Sequence, residues 1–305
     1  MIRNQDSNSK QIQPPTLVTE FTAPASHAAF TDALEINLFR NDKVCGMNCP
    51  HCSLGETTLR LARLKRDLIP VSPQEIESAL RAELVRRELG REPNRDTGRD
   101  LSGSSWPRLI IAGRGEPTLA PDFPEILKSI AKARQEIAPK TKIEVLTNGE
   151  RLSDRDVLES LRLADRVWLK LDVGTELGLK RFSQPLSRVT LEILLGNARK
   201  LENLSVLSTF VGGRGGNVHE FEEWLESVSL LAPQQVVMTN GRLRSSSASA
   251  ATPARAELME LTEDELFALA HRFERKLKQK ALVSFDVRSL SASEPTTFEL
   301  RAKAR

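Results

Sequence analysis

Six short apolar runs, at residues 35–39, 108–112, 142–146, 166–171, 204–211 and 235–239, alternate with segments of helical spacing. This alternation constrains the fold more than any other feature of the chain. A continuous apolar run reads as a strand buried on both faces, the pattern of a parallel sheet whose crossovers are helices. The helix starts carry local signals of their own. Ser72-Pro73-Gln74-Glu75 is a capping box with proline at the first helical position, followed by Ile76, Leu80 and Leu84 on one face. Pro124 opens a helix carrying Ile126, Ile130 and Ala133, and Asp154 starts another with Val157, Leu158 and Leu161. The predicted class is therefore α/β: a partial (β/α)6 barrel of the TIM type with parallel strands, plus a C-terminal helix–strand extension. In an open or partial barrel the ligand sits at the carboxyl ends of the strands.

Residues 1–32 are polar and rich in Pro, Ala and Ser, and are expected to form a loosely held arm. Residues 33–243 hold the barrel domain, 244–256 read as a flexible linker, and 257–305 as a C-terminal helical extension with a last strand at 282–287. In that extension Thr262 and Glu265 cap a helix. The polar stretch 91–107 predicts a mobile excursion before the second strand. A net charge of +3 on 305 residues neither requires nor excludes a nucleic-acid partner. No apolar run approaches the roughly 20 residues that span a bilayer, and the N-terminus lacks the apolar stretch of a secretory signal. A cytoplasmic protein without membrane contact is the expectation.

The chain has three cysteines, and all fall in Cys45-Gly46-Met47-Asn48-Cys49-Pro50-His51-Cys52. In a reducing compartment such a cluster points to metal binding rather than disulfides. The spacing C-x3-C-x2-C follows the first strand, in a loop whose Gly46, Asn48 and Pro50 allow the backbone to wrap a compact object. Three thiolates can hold three irons of a cubane and leave the fourth iron open, as a chelating substrate requires. Two other readings fit the spacing: a Cys3His zinc site using His51 or the remote His219, and three unligated core cysteines.

The cysteine segment resembles the signature of the radical SAM superfamily, and the motifs after it keep the superfamily's order. Gly113-Arg114-Gly115-Glu116-Pro117 follows the second strand, Thr147-Asn148-Gly149 the third, and Leu171-Asp172 ends the fourth. The segments CPHCSLGETT, GRGEPTLAPDF, VLTNGERL, ADRVWLKLDVGTE and RFSQP bring residues 36–242 closer to the wyosine-type iron–sulfur oxidoreductase branch. The resemblance implies a [4Fe–4S] cluster on Cys45, Cys49 and Cys52, and S-adenosylmethionine as second cofactor. It places His51 where the family has a flat ring beside the adenine, and Gly113, Gly115 and Glu116 at the methionine moiety. Asn148 and Asp172 then suit a ribose or carboxylate, with turn and cap roles as the plainer alternatives.

Lys170 shares a face with Asp172, so it is either a catalytic candidate or that carboxylate's ion-pair partner. Thr209 ends the fifth strand before the glycine run 212–216, which either approaches a ligand or merely connects; Thr239 and Asn240 are weaker candidates. His27, His219 and His271 read as surface residues. Arg272, Arg275, Lys276, Lys278 and Lys280 read as a solvated face or an RNA-facing stripe. The implied activity is reductive cleavage of S-adenosylmethionine to a 5′-deoxyadenosyl radical that abstracts hydrogen from a small molecule or an RNA base. Without a second cysteine set or an appended flavin domain, the electron comes from an external flavodoxin- or ferredoxin-type donor. An activase making a glycyl radical on a partner protein, and a non-catalytic metal- or RNA-binding protein on the same fold, are the alternatives.

Overall fold

A computed structural model describes residues 18–20, 33–39, 43–52, 54–57, 71–89, 108–241 and 256–284. The readings at His27, 91–107, 244–255 and 285–287 lie outside the described residues. Eight strands form one sheet in chain order. Strand β1 (Val18–Glu20) pairs antiparallel with β2 (Ala33–Asn37). From β2 the sheet is parallel through β3 (Arg108–Ala112), β4 (Ile143–Thr147), β5 (Arg166–Lys170), β6 (Leu204–Phe210), β7 (Val236–Asn240) and β8 (Ala281–Ser284).

Because no strand crosses another, the connecting helices all return on one side. They are α1 (Pro73–Leu89), α2 (Phe123–Ile137), α3 (Arg155–Ser160), α4 (Leu191–Ala198), α5 (Phe221–Leu231) and α6 (Glu263–Leu277). Their buried residues, among them Ile76, Leu80, Ile130, Leu194, Trp224 and Phe273, join one strand face in the main core. The other strand face builds a smaller core from Ala33, Ile110, Ala112, Trp168, Leu207 and Val237. Its polar floor is Glu144, which accepts the Trp168 indole N–H at 2.6 Å and faces Arg108 at 3.5 Å.

The expected class holds, and both capping boxes form: Glu75 N–H donates to Ser72 Oγ and Glu265 N–H to Thr262 Oγ1. Two expectations are corrected. The arm 1–32 contributes an edge strand, β1. The first barrel strand begins and ends two residues earlier than the apolar run suggested, because Leu38 and Phe39 are buried in the loop beyond it. The expected C-terminal helix and strand form and continue the parallel sheet, β8 pairing in register with β7.

Candidate functional site

None of the three cysteines is in a disulfide, and all lie partly buried in the loop leaving the carboxyl end of β2. The loop is seated on the next strand connection. Val44 N–H donates to Arg114 O at 2.9 Å and Glu116 N–H to Val44 O at 2.7 Å. This seat demands glycine at 115: its φ is +132°, and a Cβ there would stand 1.8 Å from the Val44 carbonyl oxygen. Gly46 is constrained less rigidly: its N–H donates to Glu150 Oε1 at 2.8 Å, and a Cβ would meet that carboxylate, the movable end of a side chain.

The loop's other side rests on a π-helix, Leu179–Ser183, that ends at Gln184 in the left-handed region. Asn48 N–H reaches the carbonyls of Ser183 and Gln184, each at 3.1 Å, and Leu186 N–H donates to Gly46 O at 2.7 Å. Met47 bridges to Pro185, and the Cys49 thiol points at Ser183 O at 3.5 Å. The His51 ring stacks on Phe182 at 4.3 Å and 15°. Such irregular turns recur where a fold must aim particular groups.

Glu116, Asn148 and Glu150 knit the ends of β3 and β4 to this loop. Glu116 is buried and accepts from Thr118 N–H, Thr118 Oγ1, Thr147 Oγ1 and Asn148 N–H. Burial, with the charge of Glu150 second, raises its pKa to about 7 against the donors that favour its anion. Asn148 Nδ2 lies 3.5 Å from Cys45 Sγ and 3.2 Å from Glu150 Oε1. Burial also pushes the Glu150 carboxyl up. Gly113, at φ +104°, faces the Asn37 and Glu35 side chains.

Across the strand ends, Asp172 is a hub. Its Oδ1 accepts from Lys170 Nζ at 2.8 Å and from Thr209 N–H at 2.7 Å, and its Oδ2 faces His51 Nε2 at 3.3 Å. Burial opposes ionisation, but the Lys170 charge and the hydrogen bonds win, and the carboxyl titrates below its ordinary range. Lys170 also reaches Thr209 Oγ1. Asn217 ties this layer together, donating to Asp172 O and Thr209 O while accepting from Val211 N–H. Burial lowers the His51 pKa despite Asp172, and its Nδ1 has no partner. Lys170 is thus the ion-pair partner of Asp172.

The thiols feel one another. Burial raises Cys49, and the neighbouring Cys52 and Cys45 raise it further; burial pushes Cys45 up to about 12, with Glu116 and Glu150 adding and Lys43 opposing. Three crowded thiols held in this way need a cationic partner to ionise together, and iron supplies one. Among the described residues no three His, Cys, Asp or Glu side chains converge on a point where a metal ion could sit. A cubane, with a separate iron for each thiolate, does not ask them to converge on one point. The donor set fits such a cluster.

Other candidates go elsewhere. The glycine run packs on the C-terminal segment, with Gly212 bridging to Met259 and Gly215 N–H donating to Glu257 O, so its role is connection. Asn240 Nδ2 donates to Leu261 O, and Thr239 Oγ1 to Asn240 O. His219 sits beside Arg181 and Glu220, and His271 beside Glu274 on α6. Arg272 pairs with Glu222 and covers Phe221. Glu150, Phe182 and Asn217 were not foreseen, although VLTNGERL and RFSQP contain the first two.

The sequence model of the radical SAM superfamily matches residues 96–228, the stretch from just before β3 to α5. Over that stretch, a little under half of its length, the chain is similar to the radical SAM superfamily. Two curated relatives share sequence over longer spans. UPF0026 protein slr1464 of Synechocystis sp. is 28% identical over 200 residues, covering 63% of this chain and 64% of that one. A UPF0026 protein of Helicobacter pylori is 26% identical over 177 residues, 58% of this chain and 50% of that one. The chain thus matches between half and two thirds of the length of these relatives.

Among solved structures, archaeal TYW1 is similar with a TM-score of 0.54 and 16% identity, covering 88% of this chain and 86% of that one. SuiB of Streptococcus suis bound to S-adenosylmethionine has a TM-score of 0.55 and 13% identity, covering 86% of this chain and 54% of that one. At these identities the likeness is one of fold. Among the described residues no helix is long and apolar enough to cross a membrane.

Proposed function

We propose that this protein is a radical SAM iron–sulfur enzyme that holds a [4Fe–4S] cluster on Cys45, Cys49 and Cys52 and cleaves S-adenosylmethionine reductively. When bound, the two cofactors supply one-electron cleavage of the sulfonium's S–C5′ bond, giving methionine and a 5′-deoxyadenosyl radical that takes a hydrogen atom from substrate. One observation carries the reading. The cysteine loop is clamped between the β3 and β4 connections and a π-helix, at the carboxyl ends of the parallel strands.

The residues around it have separable tasks. Gly115 and Glu150 set the height of the loop. Phe182 and Asp172 hold the His51 ring on both its face and its edge, offering a flat surface to an adenine. Asp172 has both oxygens engaged within the protein, so Lys170 and Thr209 complete a preformed polar wall. The substrate is a small molecule or an RNA base, and the electron comes from an external ferredoxin- or flavodoxin-type donor.

Anaerobic reconstitution with iron and sulfide, followed by EPR of the reduced protein with and without S-adenosylmethionine, tests the reading. A four-iron signal that changes with S-adenosylmethionine, and 5′-deoxyadenosine that disappears in Cys49→Ala, is the expected result. A fully loaded protein giving neither would refute it.

A further inference from the structure

Lys43 stands two residues before the first cysteine, half-buried, and reaches over the loop to donate to the Gly55 carbonyl at 2.5 Å. Gly55 closes the turn that follows the third cysteine, its N–H donating to Cys52 O at 3.1 Å. A single side chain therefore joins the segment entering the cysteine motif to the turn leaving it, with all three cysteines between in the chain. Its ammonium is thereby fixed across the loop that carries Cys45, Cys49 and Cys52. Among the described residues its ammonium makes no ion pair, and its hydrogen bond goes to a neutral carbonyl. A half-buried cation without a carboxylate is costly unless some other anion answers it. A cluster bound on the three cysteines of the same loop would supply that anion. The two buried carboxylates near Cys45, Glu116 and Glu150, act with the opposite sign.

We propose that Lys43 is the fixed counter-charge of the cysteine loop: it staples the loop at Gly55 and sets how readily the bound cluster accepts its electron. The inference rests on the cluster reading above. Adding one electron, from dithionite in the test and from the external donor otherwise, makes the cluster and its three thiolates more negative by one charge. A cation fixed beside the ligands stabilises that reduced form more than the oxidised one. Lys43 acts on the cluster through the loop it staples and the charge it holds there, so it is a positioning residue with an electrostatic effect.

The test is an EPR-monitored redox titration of the reconstituted full-length protein without S-adenosylmethionine, comparing wild type with Lys43→Met, Lys43→Gln and Lys43→Arg. Iron content is measured alongside. Lys43→Met and Lys43→Gln are expected to weaken electron uptake about tenfold, which for one electron is about 59 mV to lower potential. Lys43→Arg, which keeps the charge, should stay near wild type. Lys43→Gln keeps a donor for the Gly55 carbonyl, so it separates the charge from the staple if Lys43→Met fails to load. Loaded neutral variants whose potential matches wild type would overturn the proposal and leave the cluster reading intact. So would an unshifted potential with weakened S-adenosylmethionine binding, which would make Lys43 a ligand contact instead. A wild type that never takes up four irons would overturn the cluster reading and this inference with it.

Discussion

Replacing Glu116 by glutamine should flatten the dependence of stability on pH in a window set by this one carboxyl. Glu116 is 1% exposed, and its pKa rises from 4.5 to about 7, chiefly through burial and then through the charge of Glu150. The folded chain therefore holds this proton more tightly than the unfolded chain does. Below the unfolded value both forms are protonated and the group is neutral in its effect. As pH rises toward 7 the unfolded chain releases its proton first, and folding stability falls. At roughly 1.36 kcal/mol per pH unit, the loss attributable to Glu116 is about 3 kcal/mol by neutral pH.

Glutamine cannot titrate, so the variant should lack this decline. It retains an acceptor for the Thr118 and Thr147 donors, but its amide then faces the Asn148 N–H that Oε2 accepts at 2.6 Å. That conflict lowers stability by about 1–3 kcal/mol at every pH. The slope, rather than the absolute value, carries the test. Urea unfolding at intervals between pH 4.5 and 7.5, on the metal-free protein, measures both. Parallel curves for wild type and Glu116→Gln would refute the reasoning.

Other perturbations separate the parts of the site. Asp172→Asn strips Lys170, Thr209 and His51 of a shared anion and should cost about 3 kcal/mol in chemical denaturation. Because the folded pKa of Asp172 is depressed, the stability it contributes is present above the ordinary carboxylate range. It is lost only as pH falls below that range, so the deficit of the variant should shrink in strong acid. Gly115→Ala drives a Cβ into the Val44 carbonyl and should lower iron uptake on reconstitution, measured as iron per chain. Thr262→Ala removes a helix cap on α6, remote from the cysteines, and should cost about 1 kcal/mol while leaving iron content unchanged.

The parallel strands were legible because strands buried on both faces read as plain apolar runs, and β6 is buried at all seven positions. Strand β1 was not, since Val18–Glu20 is too short to show any period and takes its shape from pairing with β2. Leu38 and Phe39 misled in the opposite sense: they are buried for packing beyond the strand's end, which a run of apolar letters does not distinguish. That Lys170 and Asp172 share a face followed from alternation, and their ion pair was one of the two readings it left open. Contacts between distant segments were beyond reach. Nothing local to Glu150 says that it meets Gly46, 104 residues away, or local to Ser183 that it receives the Cys49 thiol.

That difference has a physical consequence for how the site works. The residues that name the chemistry sit on one short loop, yet few of their contacts hold that loop in place. Its position is set by three separate connections: the turn after β3 through Gly115, the turn after β4 through Glu150, and the π-helix after β5 through Ser183 and Phe182. Each support is short-ranged and polar or aromatic, so a displacement of one connection moves the thiols relative to the other two. A ligand bound over the strand ends as proposed would rest on those same connections through Asn148, Asp172 and His51. Loop geometry and ligand geometry are therefore coupled by shared supports rather than by direct contact. Substitutions in the supports should change iron loading and S-adenosylmethionine affinity together, whereas Lys43→Gln, which removes the charge but keeps a donor for the Gly55 carbonyl, should alter potential alone.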